Sequence, residues 1–395
     1  MSKQELIKLI IFFTGWRTVL FLVQLIAPFL LPYKPSFPYY DTLLPFFGVP
    51  RWLYSWANFD GVHYLTIIRE GYGTHNLLQA FFPLYPFLTK AFSQVVPNPL
   101  LIGLLLSNLF GLGFCLLWFT AVKKLYNAHT AWLAVFILFL FPSAFFIGAL
   151  YTESLFLLLI AGSLVAGYYR KWWLAGILAA LASGTRIVGI MLVPALLVEL
   201  FQQSFHYETS LGKSVQRSLS DILRQQKAAL LWIALGSGGL VSYMAYLYHS
   251  FGDAMMFLSV QSEFNTGRQE NFVLLPQVFW RSIKILLTVD PYGPHYVTYV
   301  MEFLTALLFI PAIYLAWRKK VRWSWITFSI IVYLVPTMTG TFSGLNRYIL
   351  PCLAVFLALT LFLSSKPRLS YLYLVFSATL LIINTILFIQ GYWVA

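Results

Sequence analysis

Eleven stretches of the chain are almost purely apolar: residues 8–31, 98–121, 130–150, 153–169, 172–185, 187–202, 228–249, 296–316, 323–341, 348–364 and 370–391. No other feature constrains the fold as much. A helix needs about 20 apolar residues to cross a hydrocarbon core of roughly 30 Å. Backbone in lipid must satisfy its own hydrogen bonds, so these blocks read as membrane-spanning α-helices. The runs 172–185 and 187–202 are short, and read as tilted or half-length helices meeting at Ser183–Gly184–Thr185–Arg186. About 10–12 spans result. Only 10% of the 395 residues are charged, where a soluble domain carries about 25%. With the apolar blocks set aside, only the loops between them are left, and none reads as a soluble domain. Residues 1–395 therefore read as a single all-α, polytopic transmembrane domain. The first block is too long for a signal-peptide core and lacks a small-residue cleavage site, so it reads as the first span.

The net charge of +13 would suit a nucleic-acid binder, but its distribution does not. Lys and Arg gather in short turns between apolar blocks: Lys3 and Lys8, Lys123 and Lys124, Arg170 and Lys171, Lys213 to Lys227, Arg318 to Arg322, and Lys366 with Arg368. Basic turns of this kind orient spans with their Lys and Arg on the cytoplasmic side. The N-terminus is thus expected in the cytoplasm. The opposite, extracytoplasmic side receives Asp41, Asp60, Glu70, Glu153, Asp253, Glu263, Glu270 and Asp290. Membrane lipids, not nucleic acid, are the expected surroundings. Cys115 and Cys352 each fall inside an apolar block, as buried thiols do.

Two long outer loops, 32–97 and 250–295, are too polar to span yet rich in aromatics. Pro50 to Ile68 and Pro276 to Leu287 read as helices lying in the interface, a depth that Trp and Tyr favour. In the first of these, Asp60 is placed i,i+3 from His63 and i,i+4 from Tyr64, so one helical face could carry all three. A carboxylate with such neighbours can serve as a general base; the spacing equally suits ordinary polar groups on an interfacial helix. Ala80–Phe81–Phe82–Pro83–Leu84–Tyr85–Pro86 reads as a rigid aromatic turn, since its prolines disfavour continuous helix. Glu153, at the junction Tyr151–Thr152–Glu153–Ser154, is costly at the head of a span unless wet or paired. Thr152 or Ser154 could cap the next helix.

Arg186, between two apolar runs, and Arg347, at the start of another, are the natural partners of a carboxylate or a phosphate; snorkelling to headgroups is the alternative. The histidines lack HxxxH or HExxH spacing, and no P-loop or Rossmann glycine pattern occurs. A tight zinc site and a nucleotide-sugar donor are both disfavoured. No cofactor is expected, although Asp60 and Glu153 as a carboxylate pair could recruit a divalent metal.

These motifs resemble the PIG-V family, the GPI mannosyltransferase 2-like proteins and their prokaryotic relatives. The resemblance is carried by Phe59–Asp60, Gly71–Tyr72, Ala80 to Pro86, Ser143–Ala144 with Tyr151 to Phe156, Thr185–Arg186–Ile187–Val188–Gly189, and Arg347–Tyr348, in order, from the first span to about residue 350. It implies a GT-C-like glycosyltransferase that takes a sugar, usually mannose, from a polyprenyl-phosphate donor at the extracytoplasmic face. It implies Asp60 as catalytic base, with inversion. His63, Tyr64, Tyr72, Tyr85, Tyr151, Glu153, Arg186, Arg347 and Tyr348 are then the expected substrate-binding residues. The acceptor could be a glycolipid, a glycan or a protein. Loops 203–227 and 250–295 carry no matching motif. A transporter or lipid-linked-sugar flippase would also place Arg and carboxylates in spans, but no internal repeat is found and the carboxylates cluster in loops. A non-catalytic scaffold subunit would retain the fold while losing Asp60.

Overall fold

A computed structural model describes residues 1–75, 77–210, 226–264, 269 and 272–394. All regular structure among these is helical. The basic stretch from Lys213 up to residue 225, and Glu270, lie outside the described residues.

Five helices are long and apolar enough to cross a membrane: Lys3–Leu30, Pro99–Leu125, Ile187–Ser204, His295–Arg318 and Pro367–Ile389. Lys227–Leu235 and Gly238–Phe251, bent by 44° at their break, make a sixth when taken as one span. Caps match the local sequence. Ser2 and Glu5 form a capping box at the first helix, and Asn98 and Asn127 accept from Leu101 N–H and Thr130 N–H at the starts of theirs. Large apolar side chains such as Ile11, Leu231, Leu308 and Phe376 are left exposed on the outside, which suits lipid and not water.

The other apolar blocks form shorter helices of 11–16 residues: Ala128–Phe139, Glu153–Tyr168, Trp172–Ser183, Trp323–Thr337 and Leu353–Leu363. At 1.5 Å per residue the longest reaches only about 24 Å. This corrects the expected full-length spans at 130–150, 323–341 and 348–364. It also corrects the expected half-length helix at 187–202, which joins a full 18-residue run. The shortening has one pattern. Each short helix has its basic turn at one end, while its other end gives way to irregular backbone: 140–152, Gly184–Arg186 and 338–352. Those three segments carry Tyr151, Arg186 and Arg347, with Glu153 directly following the first. At the end away from the basic turns, the last turns of these helices are replaced by the backbone that builds the site.

The basic end is tied together separately. Lys123 pairs with Glu5 at 2.5 Å. Buried Glu199 accepts from Arg322, from Ser324 Oγ at 2.5 Å and from Gln203 Nε2 at 2.6 Å. Within the bundle, Trp172–Ser183 touches its neighbours through glycine. A Cβ on Gly176 would stand 2.0 Å from the Trp232 carbonyl oxygen, and one on Gly239 would stand 2.1 Å from that of Ala180. Small residues permit this approach where lipid supplies no hydrophobic drive for helices to associate.

The expected interfacial helix at Pro50–Ile68 is also corrected. It breaks into Arg51–Tyr54, a 3-10 turn at Ser55–Ala57, and Asp60–Glu70. Gly61 through Ile68 are all buried, His63, Tyr64 and Thr66 along with Val62, Leu65, Ile67 and Ile68. This helix is inserted into the protein. By contrast, Leu275–Thr288 buries only Val278 and is a surface helix. The expected tip at Tyr151–Ser154 is no tip either: Pro142 to Phe156 is buried throughout.

Candidate active site

Asp60 opens a helix, and the backbone before it is strained to place it there. Phe59 adopts φ 57°, a conformation that side-chain-bearing residues rarely hold without support. The support is visible on three sides. Asn58 Nδ2 donates to the Phe388 and Ile389 carbonyls at 2.9 and 3.2 Å, caught on the end of the last helix. Tyr151 Oη donates to the Asn58 carbonyl at 2.8 Å and accepts from Asp60 N–H at 3.2 Å. The Phe59 ring is packed among Phe37, Phe388 and Trp393.

Three other segments then converge on Asp60. Arg347 Nη1 donates to Asp60 Oδ2 at 2.6 Å, and Arg347 Nε donates to Glu153 Oε1 at 2.5 Å. Arg186 Nη1 donates to the same Glu153 oxygen. Two carboxylates and two guanidiniums thus form one chain, Asp60–Arg347–Glu153–Arg186, whose formal charges cancel. Glu153 is 2% exposed, while the Asp60 side chain is 23% exposed. Asp60 and Glu153 both begin helices, where the dipole favours an anion. Tyr151 and Tyr348 flank the Arg347 guanidinium, and Tyr348 also faces Arg186 at 5.2 Å.

Arg347 is held by its own turn. Gly344 takes the left-handed conformation at φ 79°, which glycine adopts without penalty. Its N–H donates to Glu302 Oε1 at 2.6 Å. Asn346 is gripped by Ser143 Oγ on its carbonyl at 2.6 Å and by Thr305 Oγ1 on its side chain at 2.7 Å.

Burial alone would push the Asp60 carboxyl up. The Arg347 charge and hydrogen bond, helped by His63 and Arg186, outweigh it and hold the carboxyl below its usual value of 3.8. His63 lies below its usual 6.5, mainly through burial, with Asp60 opposing. Asp60 is therefore ionised and His63 neutral near pH 7.

A cavity of about 970 Å³ opens beside Asp60, the size range of ligand sites. Of the expected site residues, Asp60, His63, Tyr64, Arg186, Arg347 and Tyr348 line it. His63 stacks on Phe81 at 4.8 Å, and Tyr64 Oη lies 3.4 Å from Thr152 Oγ1. Glu153 and Tyr151 stand behind the lining, the first between the arginines and the second under the Asp60 backbone. Tyr72 and Tyr85 do not line the cavity. Tyr72 Oη donates to the Phe81 carbonyl at 2.7 Å, and Tyr85 Oη to the Gly103 carbonyl at 2.9 Å; both brace the Ala80–Pro86 turn. Arg186 and Arg347, expected as partners of a carboxylate or a phosphate, are engaged by carboxylates.

The lining also holds residues that sequence reasoning missed: Glu302, His295 and Tyr299 from Pro294–Arg318, and Arg281 and Lys284 from Leu275–Thr288. Glu302 had a signal, a carboxylate inside an apolar span. No group of three or more His, Cys, Asp and Glu side chains converges on a metal-sized site among the described residues. Asp60 and Glu153 are bridged by Arg347.

Fold and site together define a multi-pass helical membrane protein with a buried carboxylate–guanidinium centre at one end of its bundle. The chain belongs to the mannosyltransferase (PIG-V) family, whose model matches residues 3–258. That range contains Asp60, Glu153 and Arg186, and Arg347 lies beyond it. A comparison with curated proteins gave no match. Among solved structures the chain is similar to the Archaeoglobus fulgidus oligosaccharyltransferase. The apo form is 13% identical at a TM-score of 0.44, with 97% of this chain and 56% of that one covered. The form tethered through a disulfide to an acceptor peptide containing the NVT sequon is 14% identical at 0.42, with 96% and 55% covered. The complex with Zn and sulfate is 13% identical at 0.41, with 95% and 53% covered. The chain spans about half the length of that protein.

Proposed function

We propose that the protein transfers a sugar, most simply mannose, from a polyprenyl-phosphate donor to an acceptor hydroxyl, with Asp60 as general base. One observation carries the reading. Asp60 is ionised, held through Oδ2 by Arg347, and its other oxygen accepts no hydrogen bond from the described residues at the edge of a cavity large enough for a hexosyl phosphate. The acceptor oxygen attacks the anomeric carbon as its proton passes to Asp60. The bond from that carbon to the phosphate oxygen breaks, and polyprenyl phosphate leaves with the electron pair. A single displacement without a covalent intermediate inverts the anomeric configuration.

The supporting residues act on Asp60 and not on the substrate. Tyr151 and Asn58 fix its backbone, while Glu153 and Glu302 fix Arg347. Neutral His63 and Tyr64 present donors toward the sugar. The reaction face is extracytoplasmic on this reading, because the basic turns sit at the helix ends away from the site. Membership of a mannosyltransferase family supports mannose; the acceptor, whether glycolipid, glycan or protein, is left open by the chemistry.

The test is transfer of label from polyprenyl-phosphate-mannose to membrane acceptors in wild type and Asp60→Asn. Transfer by the wild type alone supports the assignment. Equal transfer removes Asp60 as base. Flipping of the donor across vesicles without any transfer would favour the flippase instead.

A further inference from the structure

The catalytic cluster contains no spare positive charge. Arg186 and Arg347 face two carboxylates, so the four groups together present no net charge to a donor phosphate. A second pair of cations lines the same cavity. Arg281 and Lys284, one turn apart on Leu275–Thr288, share a face by their i,i+3 spacing. Neither has a carboxylate within ion-pair distance among the described residues. The lining carboxylates are Asp60 and Glu302; the first is paired with Arg347 and the second accepts from Gly344 N–H.

Arg281 is positioned as well as uncompensated. Its Nη1 donates to Gln269 Oε1 at 3.1 Å and lies 3.5 Å from the Gly340 carbonyl. Gly340 has φ 98°, and a Cβ there would stand 2.7 Å from Arg281 Nη1, so glycine makes room for the guanidinium. Nε and Nη2 donate to no acceptor among the described residues. They remain available as the planar fork that matches phosphate oxygens. The same helix leaves Trp280 and Leu287 exposed, at 56% and 80%. It therefore carries a lipid-facing surface beside its cations, as interfacial helices do.

We infer that Arg281 and Lys284 bind the phosphate of a lipid-linked ligand and set it against the cavity in which Asp60 acts. This inference rests on the proposed transferase reading and names the group that anchors its donor. It divides the work between the walls: the Asp60 wall takes the proton, and the Leu275–Thr288 wall takes the leaving phosphate.

The experiment uses the full chain in detergent and needs no transfer. Binding of polyprenyl phosphate is compared with binding of the corresponding polyprenol, in wild type and in the Arg281→Gln/Lys284→Gln double variant, with phosphatidylglycerol as competitor. Wild type should prefer the phosphate by about tenfold to a hundredfold, the value of one or two charge-assisted hydrogen bonds. The double variant should lose that preference while binding polyprenol as before and melting at the wild-type temperature. A preference retained by the double variant overturns the inference and leaves the transferase reading standing. No preference in wild type overturns the inference together with a lipid-phosphate donor. Equal displacement by phosphatidylglycerol marks a general headgroup site and overturns the donor assignment. Arg281→Lys should retain part of the preference; complete loss with both cations still present would count against simple phosphate pairing.

Discussion

Replacing Glu153 by Gln removes one charge from the centre of the cluster without changing its shape. Glu153 Oε1 accepts from both Arg186 Nη1 and Arg347 Nε. Hydrogen bonds to charged partners contribute about 1.5–3 kcal/mol each, roughly twice the neutral kind. A glutamine oxygen in the same place still accepts both bonds from charged donors but loses the attraction between opposite charges; taken as half of each bond, that is a loss of about 1.5–3 kcal/mol. The second carboxylate oxygen, Oε2, is buried without a hydrogen-bond partner. The glutamine amide placed there is a buried donor lacking an acceptor, which costs about 1–3 kcal/mol more. A total of about 2.5–6 kcal/mol follows, which spans the roughly 3–5 kcal/mol found when a buried ion pair is broken from one side. The assay is the unfolding free energy of the full chain in detergent, by SDS titration. A cycle with Arg186→Gln should show a coupling of about 1 kcal/mol or more, since the two residues touch. A Glu153→Gln variant within about 0.5 kcal/mol of wild type, the scale of an ordinary surface substitution, with no coupling, would refute the paired cluster.

Other consequences are equally direct. Because Asp60 is held below its usual 3.8, the stabilisation from its pairing is fully present above that pH and is lost as pH falls through the lowered value. Transfer should accordingly persist to pH 4. In Arg347→Met the Asp60 carboxyl rises, and the acid limb of the residual rate should move to higher pH; an unmoved limb would separate that limb from Asp60. Gly239→Ala drives a methyl into the Ala180 carbonyl and should cost about 1–3 kcal/mol by forcing two helices apart, read as a lower melting temperature; an unchanged one would contradict the close approach.

The architecture was readable because bilayer helices announce themselves in composition, and the basic turns mark one end of nearly every span. Apart from 172–185, read as short and found as Trp172–Ser183, the short helices were not. Residues 140–152 are as apolar as the spans they interrupt, and periodicity cannot distinguish a buried 3-10 turn from a continued helix. The helix after Phe59 was misplaced at the surface because a face carrying Asp60, His63 and Tyr64 reads as one turned to solvent, whereas the fold turns it to an internal cavity. Asp60, Glu153, Arg186 and Arg347 each stood out as a charge in apolar surroundings, but their pairing spans 287 positions for Asp60–Arg347 and 194 for Glu153–Arg347. No local spacing reports contacts of that range. Tyr72 and Tyr85 looked like ligand contacts on the strength of their motifs, yet each hydroxyl donates to a backbone carbonyl. Glu302 was overlooked inside an apolar block, although a carboxylate in a span demands a partner and so points to a site. Arg281 and Lys284 gave no signal beyond a surface helix; only the folded cavity distinguishes them from other basic residues near lipid.

On the proposed reading, Asp60 takes the acceptor's proton in a lipid-phosphate-dependent sugar transfer. The most direct test is transfer from radiolabelled polyprenyl-phosphate-mannose to membrane acceptors, comparing wild type with Asp60→Asn at matched expression. Wild type should incorporate label, and the variant should still bind the donor but transfer at a rate lower by at least the roughly 10²–10⁴-fold that a general base supplies. Undiminished transfer by Asp60→Asn would contradict that reading.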